Sequence, residues 1–332
     1  MTKRQIKWGV ISTAKIGWQK VIPAMQKSEL GKIVAIGSAN TERAQEIASE
    51  NDIDKVHSSY EDLINDPDID AVYNPLPNHM HVEWTIKALQ AGKHVLCEKP
   101  VGLNAGETRM LLDEAVKHPK LKLMEAFMYR FHPQWLKVKE LLGKNAIGEV
   151  KTVNTFFSYY NVDTSNIRNR VEVGGGAMMD IGCYCISLPK FVFGKEPLRV
   201  TGIMERDPEF GTDRMASAIL AFGEGKTSTF TCATQLIPYQ RCNIYGTEGV
   251  IEVEIPVNAP PDKPCKVWLR TKEHEELFIL AAADQYTLEA DAFAKCILDD
   301  TDMHGYMNDA LGNMKIIDAI VLSSREGKWV SL

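Results

Sequence analysis

Ile6-Lys7-Trp8-Gly9-Val10-Ile11-Ser12-Thr13-Ala14-Lys15-Ile16-Gly17 opens as an apolar run, breaks into small residues and continues as a helical pattern. The end of the run lacks the alternation of a strand with one wet face, so it reads as a strand covered on both sides, at the centre of a sheet. In the turn, Ser12 and Ala14 stand where a G-x-G-x-x-G turn has its first two glycines, and Gly17 is kept. Such a turn must bring backbone amides up to a pyrophosphate at a helix N-terminus, and Ser and Ala are small enough for that. Ser12, Thr13, Ala14, Lys15 and Ile16 are therefore candidate dinucleotide contacts. On its own this signal is weak, because any small-residue βα turn reads alike.

Working outward, short β-branched runs alternate with amphipathic stretches, which is the pattern of parallel βαβ units. Strands are expected at Ile6–Ser12, Lys32–Ser38, Ala71–Asn74, His94–Cys97 and Lys122–Ala126, with helices at Ile16–Gln26, Thr41–Ser49, Met80–Ala91 and Ala105–His118. Beyond Arg130 the pattern changes. A helix at Pro133–Leu142, a strand at Glu149–Tyr160 and an apolar helix at Ala177–Phe193 precede strands at Arg199–Glu205, Met215–Phe222, Lys226–Thr234, Arg241–Tyr245 and Val250–Glu254. Strands joined by hairpin-like links imply a largely antiparallel sheet. Tyr245–Val250 reads as a hairpin turn with glycines at positive φ, Asn258–Pro264 as a surface loop, and Gln285–Leu298 and Tyr306–Ser324 as closing helices. The expected fold class is α/β: a doubly wound parallel Rossmann sheet over residues 1–125, then an α+β domain with a large, mostly antiparallel open sheet over residues 126–332.

A chain of 332 residues with formal net charge -6 has the length for two cores and lacks the basic excess that nucleic acid or acidic lipid would select. Seven cysteines, an odd number without a Cys-x-x-Cys pair, suit a reducing compartment. No apolar run approaches the ~20 residues of a membrane helix, and residues 1–7 are polar, so a cytoplasmic, soluble protein is expected.

The tip of the second strand reads Gly37-Ser38-Ala39-Asn40-Thr41-Glu42-Arg43. An acid there would bond the ribose 2′-hydroxyl of NAD. Its absence, with Ser38 and Arg43 nearby, suits the 2′-phosphate of NADP, although Arg43 reads equally well as a solvated first-turn residue. Pro75-Leu76-Pro77-Asn78-His79-Met80-His81 follows a strand and leads into a helix that Asn78 can cap. Glu98-Lys99-Pro100 ends the next strand at the carboxyl edge, where ligands bind in open α/β sheets. Pro75, Leu76, Asn78, His79, Glu98 and Lys99 join the cofactor candidates. His79 and His81 lack a third ligand at metal spacing, so no metal site is expected and a helix-start reading is favoured.

Together with Tyr129-Arg130-Phe131-His132-Pro133, Gly174-Gly175-Gly176-Ala177-Met178-Met179-Asp180-Ile181-Gly182-Cys183-Tyr184 and the Gly246–Gly249 turn, these pieces resemble the glucose-fructose oxidoreductase, inositol dehydrogenase and rhizopine-catabolism family. Within it the glycine segment resembles the branch of dimeric dihydrodiol dehydrogenase and D-xylose dehydrogenase. The resemblance implies an NAD(P)-dependent oxidoreductase moving a hydride to or from a hydroxyl or carbonyl carbon of a sugar-like or trans-diol substrate. It also implies a homodimer or higher homo-oligomer formed through the open sheet. An inositol or anhydrosugar oxidoreductase, or a non-catalytic nicotinamide sensor, is the alternative.

Asp180 and Tyr184 are four residues apart on an expected helix and so share a face. A phenol with an ordinary pKa near ~10 needs a neighbouring cation to exchange protons near neutrality, and Lys99 is the candidate. The resemblance implies that role for Lys99, with Tyr184 as acid/base and Asp180 orienting Lys99 or the substrate; Lys99 could itself carry the proton. The expected active site is an interdomain cleft. Tyr184 reads equally well as a core residue with a satisfied hydroxyl. Tyr129 and Arg130 are candidate substrate contacts, as is Arg168 in the polar loop before the glycines, whereas Arg130 can also serve as a salt-bridge residue.

Overall fold

The strand that opens the sequence takes its place at the middle of a six-stranded parallel sheet. In the computed structural model, which describes residues 4–332, the strands of this sheet are β1 (Ile6–Ile11), β2 (Gly31–Gly37), β3 (Lys55–His57), β4 (Ala71–Asn74), β5 (His94–Glu98) and β6 (Leu123–Ala126). Their order is β3-β2-β1-β4-β5-β6, all parallel. The strand order therefore reverses direction at β1, which makes the crevice at its carboxyl end the ligand site of a doubly wound fold. β1 is buried at five of six positions, as its uninterrupted apolar sequence requires. The helices on the faces include α1 (Ile22–Met25), entered through a wide turn at Gly17–Val21, then α2 (Thr41–Glu50), α3 (Tyr60–Ile64), α4 (Asn78–Gln90) and α5 (Ala105–Ala115). β3 and α3 are absent from the sequence reading. At three and five residues they are too short for a period to show.

The second sheet has nine strands: β7 (Val150–Tyr160), β8 (Arg199–Arg206), β9 (Asp213–Gly223), β10 (Lys226–Ala233), β11 (Gln235–Gly246), β12 (Gly249–Val253), β13 (Cys265–Thr271), β14 (Glu275–Leu280) and β15 (Val330–Ser331). Their order is β14-β13-β12-β11-β7-β10-β9-β8-β15. Every pairing is antiparallel except β7 with β10. One face is covered by α6 (Pro133–Gly143) and α7 (Cys183–Phe193). α8 (Gln285–Leu298) and α9 (His304–Glu326) close the chain. The Gly246–Gly249 turn corrects an expectation: neither glycine has positive φ. Both are glycine because a Cβ would meet backbone, Ile147 O at Gly246 and Arg270 O at Gly249.

Two compact units result. One runs to Met128 and takes back Asp284–Leu311; the other comprises Tyr129–Ala283 and Gly312–Leu332. This differs from a single boundary at residue 125, because α8 packs with the first unit. Its Phe293 ring lies 5.6 Å from Trp8 of β1, and Met307, Ala310 and Leu311 enter the core around Ile11, Val72 and Val95.

Candidate active site

At the carboxyl end of β1 the chain turns sharply, and Ser12 adopts the left-handed conformation, φ 74°, at the position of the first fingerprint glycine. Its hydroxyl accepts the amide of Ala14 at 3.2 Å, which holds the turn in shape. Ser12 is nearly buried and Lys15 exposed, with Thr13, Ala14 and Ile16 between, so the turn offers backbone at the sheet edge. Gly17 is less constrained: a Cβ there would make ordinary contact with Pro75 at 3.7 Å. At the tip of β2, Ser38 is buried with its hydroxyl accepting the Asn40 amide, and Asn40 caps α2 by accepting the Arg43 amide. The Arg43 guanidinium stacks over Trp18, 4.6 Å from the ring centroid, and pairs with Glu46. No carboxylate stands at this tip; the nearest acid in sequence, Glu42, is exposed in the first turn of α2. Small turn residues and a helix start facing the crevice fit the pyrophosphate of a dinucleotide.

After β4, Asn74 is wholly buried and organises the turn: its amide donates to the His81 carbonyl and the Thr85 hydroxyl, and its Oδ1 accepts the Leu76 amide. α4 starts at Asn78 itself with Pro77 at the capping position and no side-chain cap, so the expected Asn78 cap does not form. Pro75 and Leu76 are buried, whereas His79 points into solvent. His81 is the informative histidine. It is 1 % exposed, with ring nitrogens 2.7 Å from the Pro100 carbonyl and 2.6 Å from the Leu76 carbonyl. Burial, with Lys99 adding to it, lowers its pKa to about 4, and the bonds to the two carbonyls oppose that shift.

The turn bearing Lys99 is fastened on several sides. The Tyr73 hydroxyl donates to Glu98 Oε1 at 2.8 Å, Glu98 Oε2 accepts the Lys99 amide, and Glu125 accepts the Val101 amide. Lys99 itself is half-buried. Its backbone is thus placed by two carboxylates and a histidine before anything binds.

In the second unit, each glycine of Gly174–Gly176 has its own reason. Gly174 is left-handed, φ 83°, and ends a short turn. A Cβ on Gly175 would lie 2.5 to 2.7 Å from the carbonyl oxygens of Arg168, Arg170 and Ile167. The amides of Gly175 and Gly176 donate to the Arg170 and Arg168 carbonyls, so the glycines pin the preceding polar loop. That loop delivers Arg168, whose Nε donates to Asp180 Oδ2 at 2.8 Å; the Tyr159 hydroxyl donates to the same oxygen at 2.6 Å. Arg168 and Tyr159 thus both donate to Asp180, whose charge raises the Arg168 pKa and keeps the guanidinium charged. Burial, then the Asp180 charge, raises the Tyr159 pKa, so this phenol remains a donor.

The first turn of the helix, Met178–Gly182, is a wide π-type turn that a 3.6-residue period does not reveal. Asp180 lies in it and Tyr184 one turn on. Tyr184 is 4 % exposed, its ring against Tyr129 and Phe157. Its phenolate form and the Arg168 cation attract each other.

Tyr129, expected to line the substrate, is fully buried: its hydroxyl meets Ser187 at 2.7 Å and its ring packs on Trp135 and Phe191. It belongs to the core of this unit. Arg130 also turns to Ser187, donating at 2.8 Å. Sequence reasoning brought out Lys99, Asp180, Tyr184 and Arg168 and missed Tyr159, Asn74 and His81's bridging role; the period-2 pattern of β7 was a signal for Tyr159's face, not for its partner.

The chain is similar to known proteins along most of its length. Residues 6–127 match the model of an oxidoreductase family with an NAD-binding Rossmann fold, and residues 135–252 match the GFO/IDH/MocA C-terminal domain. An uncharacterised oxidoreductase of Rhizobium meliloti is 38 % identical over 98 % of each chain, and an NADP-dependent D-xylose 1-dehydrogenase of Haloferax volcanii is 33 % identical over 98 % of this chain and 99 % of its own. The crystal structure of a 3-ketoreductase from Actinomadura kijaniata, in complex with NADP and TDP-benzene, superposes with a TM-score of 0.90 at 30 % identity, covering 96 % of this chain and 98 % of that one.

Proposed function

Since the chain belongs to the Gfo/Idh/MocA family of NAD(P)-dependent oxidoreductases, in the branch of the dihydrodiol and D-xylose dehydrogenases, we propose that it uses NADP to interconvert a hydroxyl and a carbonyl on a neutral polyhydroxylated substrate, a sugar or trans-diol. The observation that carries this is the Arg168–Asp180–Tyr159 cluster beside Tyr184. Its cation and carboxylate balance, so it favours a partner that both donates and accepts hydrogen bonds over a charged one. The absence of an acid at the β2 tip, with Ser38 buried there and Arg43 beside it, supports NADP over NAD.

The nicotinamide, when bound, supplies or receives the hydride. Tyr184 exchanges the hydroxyl proton, Lys99 favours its phenolate, and Asp180 orients the substrate or Lys99. Arg168 adds a second cation acting on the same phenolate. Ser12, Thr13, Ala14, Lys15 and Ile16 would hold the pyrophosphate, and Pro75, Leu76, Asn78, His79 and Glu98 would complete the cofactor site. In solution the protein is a homodimer formed through the outer face of the nine-stranded sheet. Exposed Ile203 and Ile219 on neighbouring strands support this, as does Trp268, flanked by Arg241 and Arg270. Seven cysteines that form no disulfide support a cytoplasmic location.

Fluorescence titration with NADPH and NADH, followed by turnover of aldoses, inositols, trans-diols and dicarbonyls, tests the reading. Lys99→Met and Tyr184→Phe should bind NADPH as the parent does and lose about a hundredfold or more in kcat. Full turnover by Lys99→Met on the substrate so found rejects the assigned chemistry.

A further inference from the structure

The helix that presents Asp180 and Tyr184 has no side chain of its own at its start. Its first helical bond runs from the Asp180 amide to the Gly176 carbonyl, which puts a glycine at the capping position and leaves the next amides to find other acceptors. Several other helices of the chain carry a local cap: Asn40, Ser59, Asn104 and Asp284 each accept an amide two or three residues on. Here the acceptor comes from another strand. Asp213, the first residue of β9 and 6 % exposed, reaches over so that its Oδ2 accepts the Met178 amide at 2.7 Å, and the Ala177 amide also bonds it. Gly176 makes room for it, because a Cβ there would overlap Asp213 Oδ1. The glycine and the remote carboxylate are thus one device.

We propose that Asp213 is a positioning residue: it caps, from β9, the helix carrying Asp180 and Tyr184, and thereby sets where those two groups stand for proton transfer. This rests on the chemistry proposed for that pair. A carboxylate at a helix start is favoured by the aligned peptide dipoles and by the bonds it accepts. Against this, burial pushes the Asp213 carboxyl up to about 6, with the Met178 and Ala177 amides, its own amide and Arg206 opposing. Arg206 on β8 and the Cys232 thiol on β10 are the ionisable side chains acting on it, and Cys232 is held neutral by burial. The cap is therefore strong above pH 6 and weakens as the carboxyl takes up a proton.

The test uses the full-length protein and its Asp213→Asn and Asp213→Ala variants, with two readouts from pH 5 to 8. Amide exchange over residues 174–193 is measured by mass spectrometry and corrected for the pH dependence of free amides. kcat, KM and NADPH affinity are measured with the best substrate of the panel above. In the parent, protection at the helix start should fall as pH drops through about 6, and kcat with it. Asp213→Asn, a permanent mimic of the protonated acid, should lack that step in both readouts and show a kcat about tenfold lower at pH 8, with NADPH affinity unchanged. Asp213→Ala should fall further, since the amide oxygen no longer rescues. A merely structural role would lower stability and leave the pH profile in place. Parent-like protection and kcat in Asp213→Asn at pH 8, or an unchanged step near pH 6, would overturn the proposal. If the parent turns over nothing in the panel, the chemical reading fails and the positioning role falls with it, while the exchange data still decide whether Asp213 caps the helix.

Discussion

Ser12 carries a left-handed backbone without being a glycine, at the point where the dinucleotide's phosphates are expected. An L-residue there is strained by ~1–2 kcal/mol, and strain of this kind persists where the surroundings over-determine the backbone. Ser12→Gly and Ser12→Ala both lose the hydroxyl that accepts the Ala14 amide and differ only in Cβ. Ser12→Gly should therefore be the more stable by about 1 kcal/mol in urea melts. His94 supplies a second prediction. Its Nδ1 accepts the Lys122 amide at 2.8 Å, a bond only the neutral ring can make, and burial lowers its pKa from 6.5 to about 4. The unfolded chain thus binds this proton first, so the stability contributed is present above pH 6.5 and lost as pH falls through about 4. His94→Asn, whose amide oxygen can stand in for Nδ1, should flatten that part of the unfolding free energy measured between pH 7 and 4. At this scale the sequence revealed residues by type and place in a motif: Lys99 after its strand, Asp180 and Tyr184 by spacing, Arg168 by its polar loop. Tyr159 and Asp213 stayed hidden because their partners are set by strand register, which no local pattern encodes.

Elements were legible in proportion to their length and to how one-sided they are. β4 and α8 occur with the bounds their patterns suggest, and the helical stretch that ends in α7 begins directly after Gly176, with the π-type turn Met178–Gly182 ahead of α7. β13 and β14 were passed over. β13 is buried at alternate positions, and β14 is an edge strand, mostly exposed, whose Glu275 and Glu276 disguise it. The loop-to-helix passage at Gly174–Gly176 is where an element's geometry and the chemistry meet. Gly175→Ala would drive a methyl group into three carbonyl oxygens and dislodge the Arg168 loop. kcat/KM should fall at least about tenfold while NADPH titration remains parent-like, because the first unit is untouched. A parent-like kcat/KM would show that the loop accommodates the methyl group without moving Arg168.

On the scale of the whole molecule, the two-core organisation and the parallel-then-antiparallel sheets followed from composition and strand spacing, whereas the return of Asp284–Leu311 to the first unit did not. A helix's sequence says which face is apolar, and α8 would cover either sheet equally well by that criterion. Ile203, 70 % exposed, and Ile219, 41 % exposed, lie on the outer face of the second sheet. If that face joins two copies, Ile203→Lys with Ile219→Lys should convert the dimer to a monomer by light scattering, with far-ultraviolet dichroism unchanged. The late contribution of α8 has a bearing on biosynthesis. On the ribosome, the half that begins first is finished last: Trp8 waits for Phe293 while nearly the whole of the other unit is translated. An arrested or proteolysed chain lacking that stretch exposes an indole and an open apolar seam, the kind of surface that chaperones retain and proteases clear.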